Sequence, residues 1–95
     1  MSLLTIGRQI EQMVLTVHRR NGGTLAALDG QWRLLDKRLA LDSLDLAEIM
    51  VAIERQFGVS PFEAPQPPRT WKEVIAAVAR TFEGSADWKV GDTAG

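Results

Sequence analysis

A serine stands among carboxylates in Leu41-Asp42-Ser43-Leu44-Asp45-Leu46-Ala47-Glu48, where an amphipathic run begins. A serine that attacks a substrate needs a base to take its proton. The neighbours here are acids, and no histidine or lysine lies close in sequence. A helix entrance offers something else: unpaired backbone N–H groups and the positive end of the helix dipole, both of which favour phosphate. Ser43 is therefore expected to be a modification site carrying a phosphate-linked group, not a nucleophile. The other candidates are weaker. His18 is the only histidine and there is no cysteine, so neither a zinc site nor a disulfide framework is expected. Next to Arg19 and Arg20, His18 reads as a charge-tolerant residue facing the negative end of a helix dipole.

The elements that must position Ser43 fit in one small domain. A chain of 95 residues buries roughly 60–65% of its extended-chain surface, which suits a helical bundle and leaves no room for a second, catalytic domain. No apolar run approaches the roughly 20 residues that span a bilayer, and the N-terminus lacks the layout of a secretory signal, so a cytoplasmic location without membrane insertion is expected. The net charge of −1 argues against nucleic acid as a partner. Residues 1–41 hold six Lys/Arg against three Asp/Glu, and residues 42–95 hold five against nine. The part that opens on Asp42-Ser43 is the acidic one, and its expected partners present basic surfaces.

Along the chain, Leu3, Ile6, Ile10, Met13, Val14 and Val17 recur at spacings of three and four, which predicts a first helix over residues 2–19. Ser2 is its expected cap, and Asn21-Gly22-Gly23 its stop. Residues 21–41 have no sustained period beyond one conceivable turn at Thr24–Leu28. Their apolar members, Trp32, Leu34, Leu35, Leu39 and Leu41, predict an ordered loop packed on the helices. A second helix is expected from Ser43 to Phe57, capped by Asp42 or Ser43, with Leu46, Ile49, Met50, Ile53 and Phe57 inward. Its other side, Leu44, Glu48, Val51 and Arg55, mixes acids with exposed apolar residues. Gly58 should end it. Pro61, Pro65, Pro67 and Pro68 limit the next segment to a short turn near Pro61–Ala64. Thr70-Trp71-Lys72-Glu73 has the spacing of a capping box opening a last helix, with Trp71, Val74, Ile75, Val78 and Phe82 inward and Gly84 as its stop. Residues 84–95, with Trp88 and Val90, are expected to form a flexible tail beyond a domain of residues 1–83.

Leu39-Ala40-Leu41-Asp42-Ser43-Leu44-Asp45, continued by Leu46 to Val59, resembles the acyl carrier proteins, and the likeness extends over roughly residues 3–82. The resemblance implies an all-α, three-to-four-helix bundle with a long first loop, stand-alone and monomeric. It implies that a phosphopantetheinyl transferase joins 4'-phosphopantetheine to Ser43, flanked by Asp42 and Leu44, and that the thiol of this arm holds acyl groups as thioesters. The chain would then be a carrier and not an enzyme, serving ketosynthases, acyltransferases or other acyl-processing enzymes with basic docking patches. Leu44, Asp45, Glu48, Val51 and Glu54 match the family's contact positions, and Arg55 lies on the same helix. Arg38 and Arg55 stand where the family is commonly acidic. Ala40 stands where it usually has glycine, so the loop is expected to turn there without a positive φ, or to shift slightly. These departures favour a carrier dedicated to a polyketide or other specialised-lipid pathway over the housekeeping fatty-acid carrier.

Three alternatives share some of these features. A peptidyl or aminoacyl carrier differs only in cargo, and Asp42 and Asp45 around the serine favour acyl cargo. A hydrolase of the Gly-Asp-Ser-Leu kind is disfavoured, because Leu41 replaces the glycine and no histidine comes after the serine. A helical interaction module in which Ser43 only caps a helix would show the same periodicity.

Overall fold

The structure is a computed structural model and describes residues 2–63 and 65–81. Within them the chain is all-α: helix α1 (Leu3–Arg20), helix α2 (Ser43–Phe57), helix α3 over residues 71–81, and single 3-10 turns at Lys37–Leu39 and Pro61–Glu63. No β-strand forms among the described residues, although one isolated bridge pairs Arg33 with Thr70. Among the same residues no helix is long and apolar enough to cross a membrane. Phe82, Gly84, Trp88 and Val90, and with them the expected tail, lie outside the described residues.

Helix α1 begins where Ser2 Oγ accepts the Thr5 N–H at 3.1 Å, as a capping serine should. Ile6, Ile10 and Val14 on its stripe are fully buried. Leu3 falls outside that stripe, 60% exposed in the first turn, whereas Leu15, one residue round from Val14, is fully buried, so the covered arc is displaced from the one expected. At the other end the Gly23 N–H donates to the His18 carbonyl and the Gly22 N–H to the Arg19 carbonyl, both at 2.9 Å. This pair of bonds, with Gly22 at φ 92, is a Schellman stop: it satisfies two carbonyls the helix leaves open.

The same stripe logic gives α2 its bounds, and they coincide with those expected. Ile49, Ile53 and Phe57 enter the core, while Leu46 and Met50 are half-buried against it. Gly58 ends the helix in the left-handed region at φ 71, its N–H on the Glu54 carbonyl at 2.8 Å. Trp71, Val74 and Val78 bring α3 onto the same core. Its cap differs in one detail from the expected box: Thr70 Oγ1 accepts the Glu73 N–H at 3.3 Å, but the Glu73 carboxylate reaches the N–H of Arg69, at 2.7 Å, one residue earlier than Thr70.

The loop of residues 21–41 is ordered by packing and by α3. Leu34 and Leu39 join the core, and Leu25, Leu28, Trp32 and Leu41 lie partly buried against it, but Leu35 remains 46% exposed. Thr24–Leu28 makes no helical turn; the only one in the loop is Lys37–Leu39, opened by Asp36, whose Oδ1 accepts the Arg38 N–H at 2.9 Å. Loop carbonyls cap α3: Gly30 accepts the Lys72 N–H at 2.8 Å and Trp32 the Trp71 N–H at 3.2 Å. These are first-turn donors that no intrahelical partner can reach. The Arg38 guanidinium lies 5.0 Å from the centre of the Trp32 ring, a cation–π contact on the loop's outer side.

Candidate functional site

Asp42, not Ser43, caps α2. Its Oδ1 accepts the Asp45 N–H at 2.8 Å, and Asp45 Oδ2 accepts the Asp42 N–H at 3.1 Å, a reciprocal capping box. Ser43 is thereby relieved of capping. It is the first residue of the helix, exposed, and its hydroxyl makes no hydrogen bond among the described residues. Leu44 beside it is 79% exposed.

Three side chains at the end of α1 hold this entrance in place. The first is His18, which the structure moves from a charge-tolerant helix end to the interior, at 2% exposure. Its Nδ1 lies 2.8 Å from the Leu39 carbonyl, and the Leu25 N–H lies 3.1 Å from Nε2. A carbonyl can only accept and an amide N–H can only donate, so these partners select the neutral imidazole with its proton on Nδ1. The ring ties both ends of the loop to α1. Gly23 lies so close that a Cβ there would run into the His18 ring, which explains a second glycine after Gly22.

The second is Asn21, whose Nδ2 donates to the Ala40 carbonyl at 2.9 Å and to Asp45 Oδ2 at 2.8 Å. Ala40 is the residue expected to turn without a positive φ; instead it sits in the left-handed region at φ 54, ψ 38. An L-residue pays about 1–2 kcal/mol there. Asn21 on its carbonyl, and Lys37, whose carbonyl accepts the Ala40 N–H at 3.2 Å, hold that conformation.

The third is Arg20. Its guanidinium takes both oxygens of Glu48, at 2.9 and 3.1 Å, and approaches Asp45 Oδ1 at 3.4 Å. Glu48 accordingly raises the Arg20 pKa above its ordinary value. Asp45 is held below the ordinary carboxylate range, first by the Asp42 N–H, then by the Asn21 amide, with the Arg20 charge adding to them.

The residues expected to meet partners are therefore not one set. Leu44, Glu48, Val51 and Arg55 share the outward face of α2, with Val51 46% exposed and Glu54 exposed on its flank. Asp45 turns toward α1, its side chain only 15% exposed. Val51 and Arg55, with Glu48, Ala52 and Gln56, line a shallow depression. The roles of His18, Arg20 and Asn21 were not readable from their positions; the only signal was a run of polar residues where a helix ends. Comparison with protein-family models, with curated proteins and with solved structures finds no match for this chain.

Proposed function

We propose that the chain is an acyl carrier protein: 4'-phosphopantetheine, attached to Ser43 by a phosphopantetheinyl transferase, holds acyl intermediates as thioesters and presents them to fatty-acid, polyketide or related specialised-lipid enzymes in the cytoplasm. The observation that supports it is the division of labour at the α2 entrance. Asp42 and Asp45 do the capping, and Ser43 keeps an exposed, unengaged hydroxyl at the first helical position. A helix cap made by the serine itself would have left no reason for this arrangement.

The residues present fit the group. A phosphodiester on Ser43 would lie at the positive end of α2, beside first-turn N–H groups, a placement worth about 0.3–1 kcal/mol for an anion. Of the two acids that flank Ser43, Asp45 is already compensated by Asn21 and Arg20, and Asp42 accepts the Asp45 N–H. When bound, the arm supplies the thiol that a chain without cysteine lacks. The chain's own contribution is to hold Ser43 outward on a rigid entrance: His18 and Asn21 fix residues 39 and 40, and Arg20 fixes the first turns of the helix.

The test is intact mass after incubation with coenzyme A and a broad-specificity phosphopantetheinyl transferase. The expected result is a single added arm, absent in Ser43→Ala. An unmodified chain with several such transferases would leave a helical interaction module as the better reading. Loading assays with acyl-loading and amino-acid-activating enzymes then separate an acyl from an aminoacyl carrier.

A further inference from the structure

The outward face of α2 carries its charges in an unequal state. Both oxygens of Glu48 are held by Arg20, and Asp45 is held by Asn21, the Asp42 N–H and Arg20. A basic group arriving from outside would meet a Glu48 whose charge Arg20 already offsets, and would gain less from it than from an unpaired carboxylate. Arg55 is in the opposite condition. It is exposed, lies one turn beyond Val51 in the same shallow depression, and makes no hydrogen bond or ion pair among the described residues. Glu54 lies about 100° round the helix from Arg55 and so flanks the stripe without facing it. The stripe that begins one residue after Ser43 thus reads apolar, neutralised, apolar, cationic: Leu44, Glu48, Val51, Arg55.

From this we infer that the face fits a protein partner presenting an apolar patch beside a carboxylate, with Leu44 and Val51 in the patch and Arg55 on the carboxylate, and not a partner with a basic patch. The pairing is one of sign. A free guanidinium prefers a carboxylate through its forked donors, and like charges brought together across an interface exclude the wrong partner more than opposite charges tighten the right one. Arg20 has a role in this choice, because it pairs with Asp45 and Glu48, two of the acids that a basic partner would read. The inference rests on the carrier reading, since it takes acyl-processing enzymes as the partners.

The experiment uses the arm-loaded chain, checked by intact mass, and two forms of one ketosynthase: one with a mapped basic carrier-docking patch, the other with an arginine of that patch changed to glutamate. Affinities are measured by titration at low salt. The expected result is that the chain binds the reversed patch more tightly, by about threefold or more as for exposed charge pairs, that Arg55→Gln abolishes the preference, and that Arg55→Glu inverts it. Circular dichroism of both variants, expected to match the parent, keeps misfolding out of the comparison. A preference of the parent chain for the basic patch, equal binding to both, or a preference that survives Arg55→Gln would overturn the inference. Failure of the carrier reading itself shows earlier and differently, as a chain without added mass.

Discussion

His18 Nδ1 donates to the carbonyl of Leu39, 21 residues further along the chain and 2.8 Å away. Together with the Leu25 N–H on Nε2, this bond makes a buried imidazole the hinge pin between α1 and the segment leading into Ser43. His18→Ala removes a buried ring and leaves an amide and a carbonyl unpaired. The expected loss is about 2–4 kcal/mol, combining the cavity and the unsatisfied polar groups. Denaturant titration reads it directly, and Gly23→Ala, which forces a Cβ into the same ring, should fall in the same direction. Unchanged midpoints for both would mean that the imidazole does not hold the loop.

Ala40 adopts a conformation in which glycine is the easier residue. Ala40→Gly should therefore stabilise the fold, by about 1 kcal/mol, the strain relieved exceeding the extra freedom of glycine in the unfolded chain. The expected observation is a higher urea midpoint with an unchanged slope. A drop in the midpoint would show that the left-handed turn is not kept in solution.

Ser43 and Asp42 can be told apart by what each loses. Ser43→Ala should leave stability nearly unchanged while abolishing attachment of the arm, because the hydroxyl supports nothing within the fold. Asp42→Ala should cost about 0.5–2 kcal/mol, the usual loss for a missing cap. The thermal midpoints of the two variants side by side test this. Equal destabilisation would return Ser43 to the role of a cap.

Asp45 links stability to pH. Its folded pKa lies below the ordinary carboxylate value of 3.8, chiefly through the Asp42 N–H and the Asn21 amide, so the unfolded chain binds the proton more readily. The stabilisation is therefore fully present above the ordinary carboxylate value and is lost as pH falls through it toward the lower, folded value. Asp45→Asn should be less stable than the parent at neutral pH, and the gap should narrow on acidification below about pH 4. Chemical denaturation across that range decides it; a gap that stays constant would assign the loss to geometry alone.

Local features carried most of what the sequence disclosed. The α2 bounds, the Gly58 stop, the Ser2 and Thr70 caps and the turn at Pro61 all depend on residues within four positions of one another, where helix geometry dictates who meets whom. The choice between Asp42 and Ser43 as cap is open in the sequence, since both are good capping residues and they are adjacent in the chain. What lay beyond reach was long-range. Nothing near His18 signals Leu39, and nothing near Arg20 signals Glu48, 28 residues away. Position alone placed both in the last turn of α1, where a basic residue commonly serves the dipole. At Ala40 the residue type itself was misleading: alanine disfavours a positive φ, and only the bonds from Asn21 and to Lys37 show why the chain accepts one.

The bond from Asn21 to the Ala40 carbonyl also closes residues 22–39 into a loop whose two ends meet without any contribution from Ala26 or Ala27. Ala26 and Ala27 lie on that loop between Leu25 and Leu28, which dock on the core, and both alanines are exposed. An insertion there adds only closure entropy, about 0.6 kcal/mol for each doubling of loop length. The surface around Ser43 and the outer reach of this loop can therefore vary separately, and the loop offers a place to install a fluorophore or a tethering peptide without disturbing the entrance to α2.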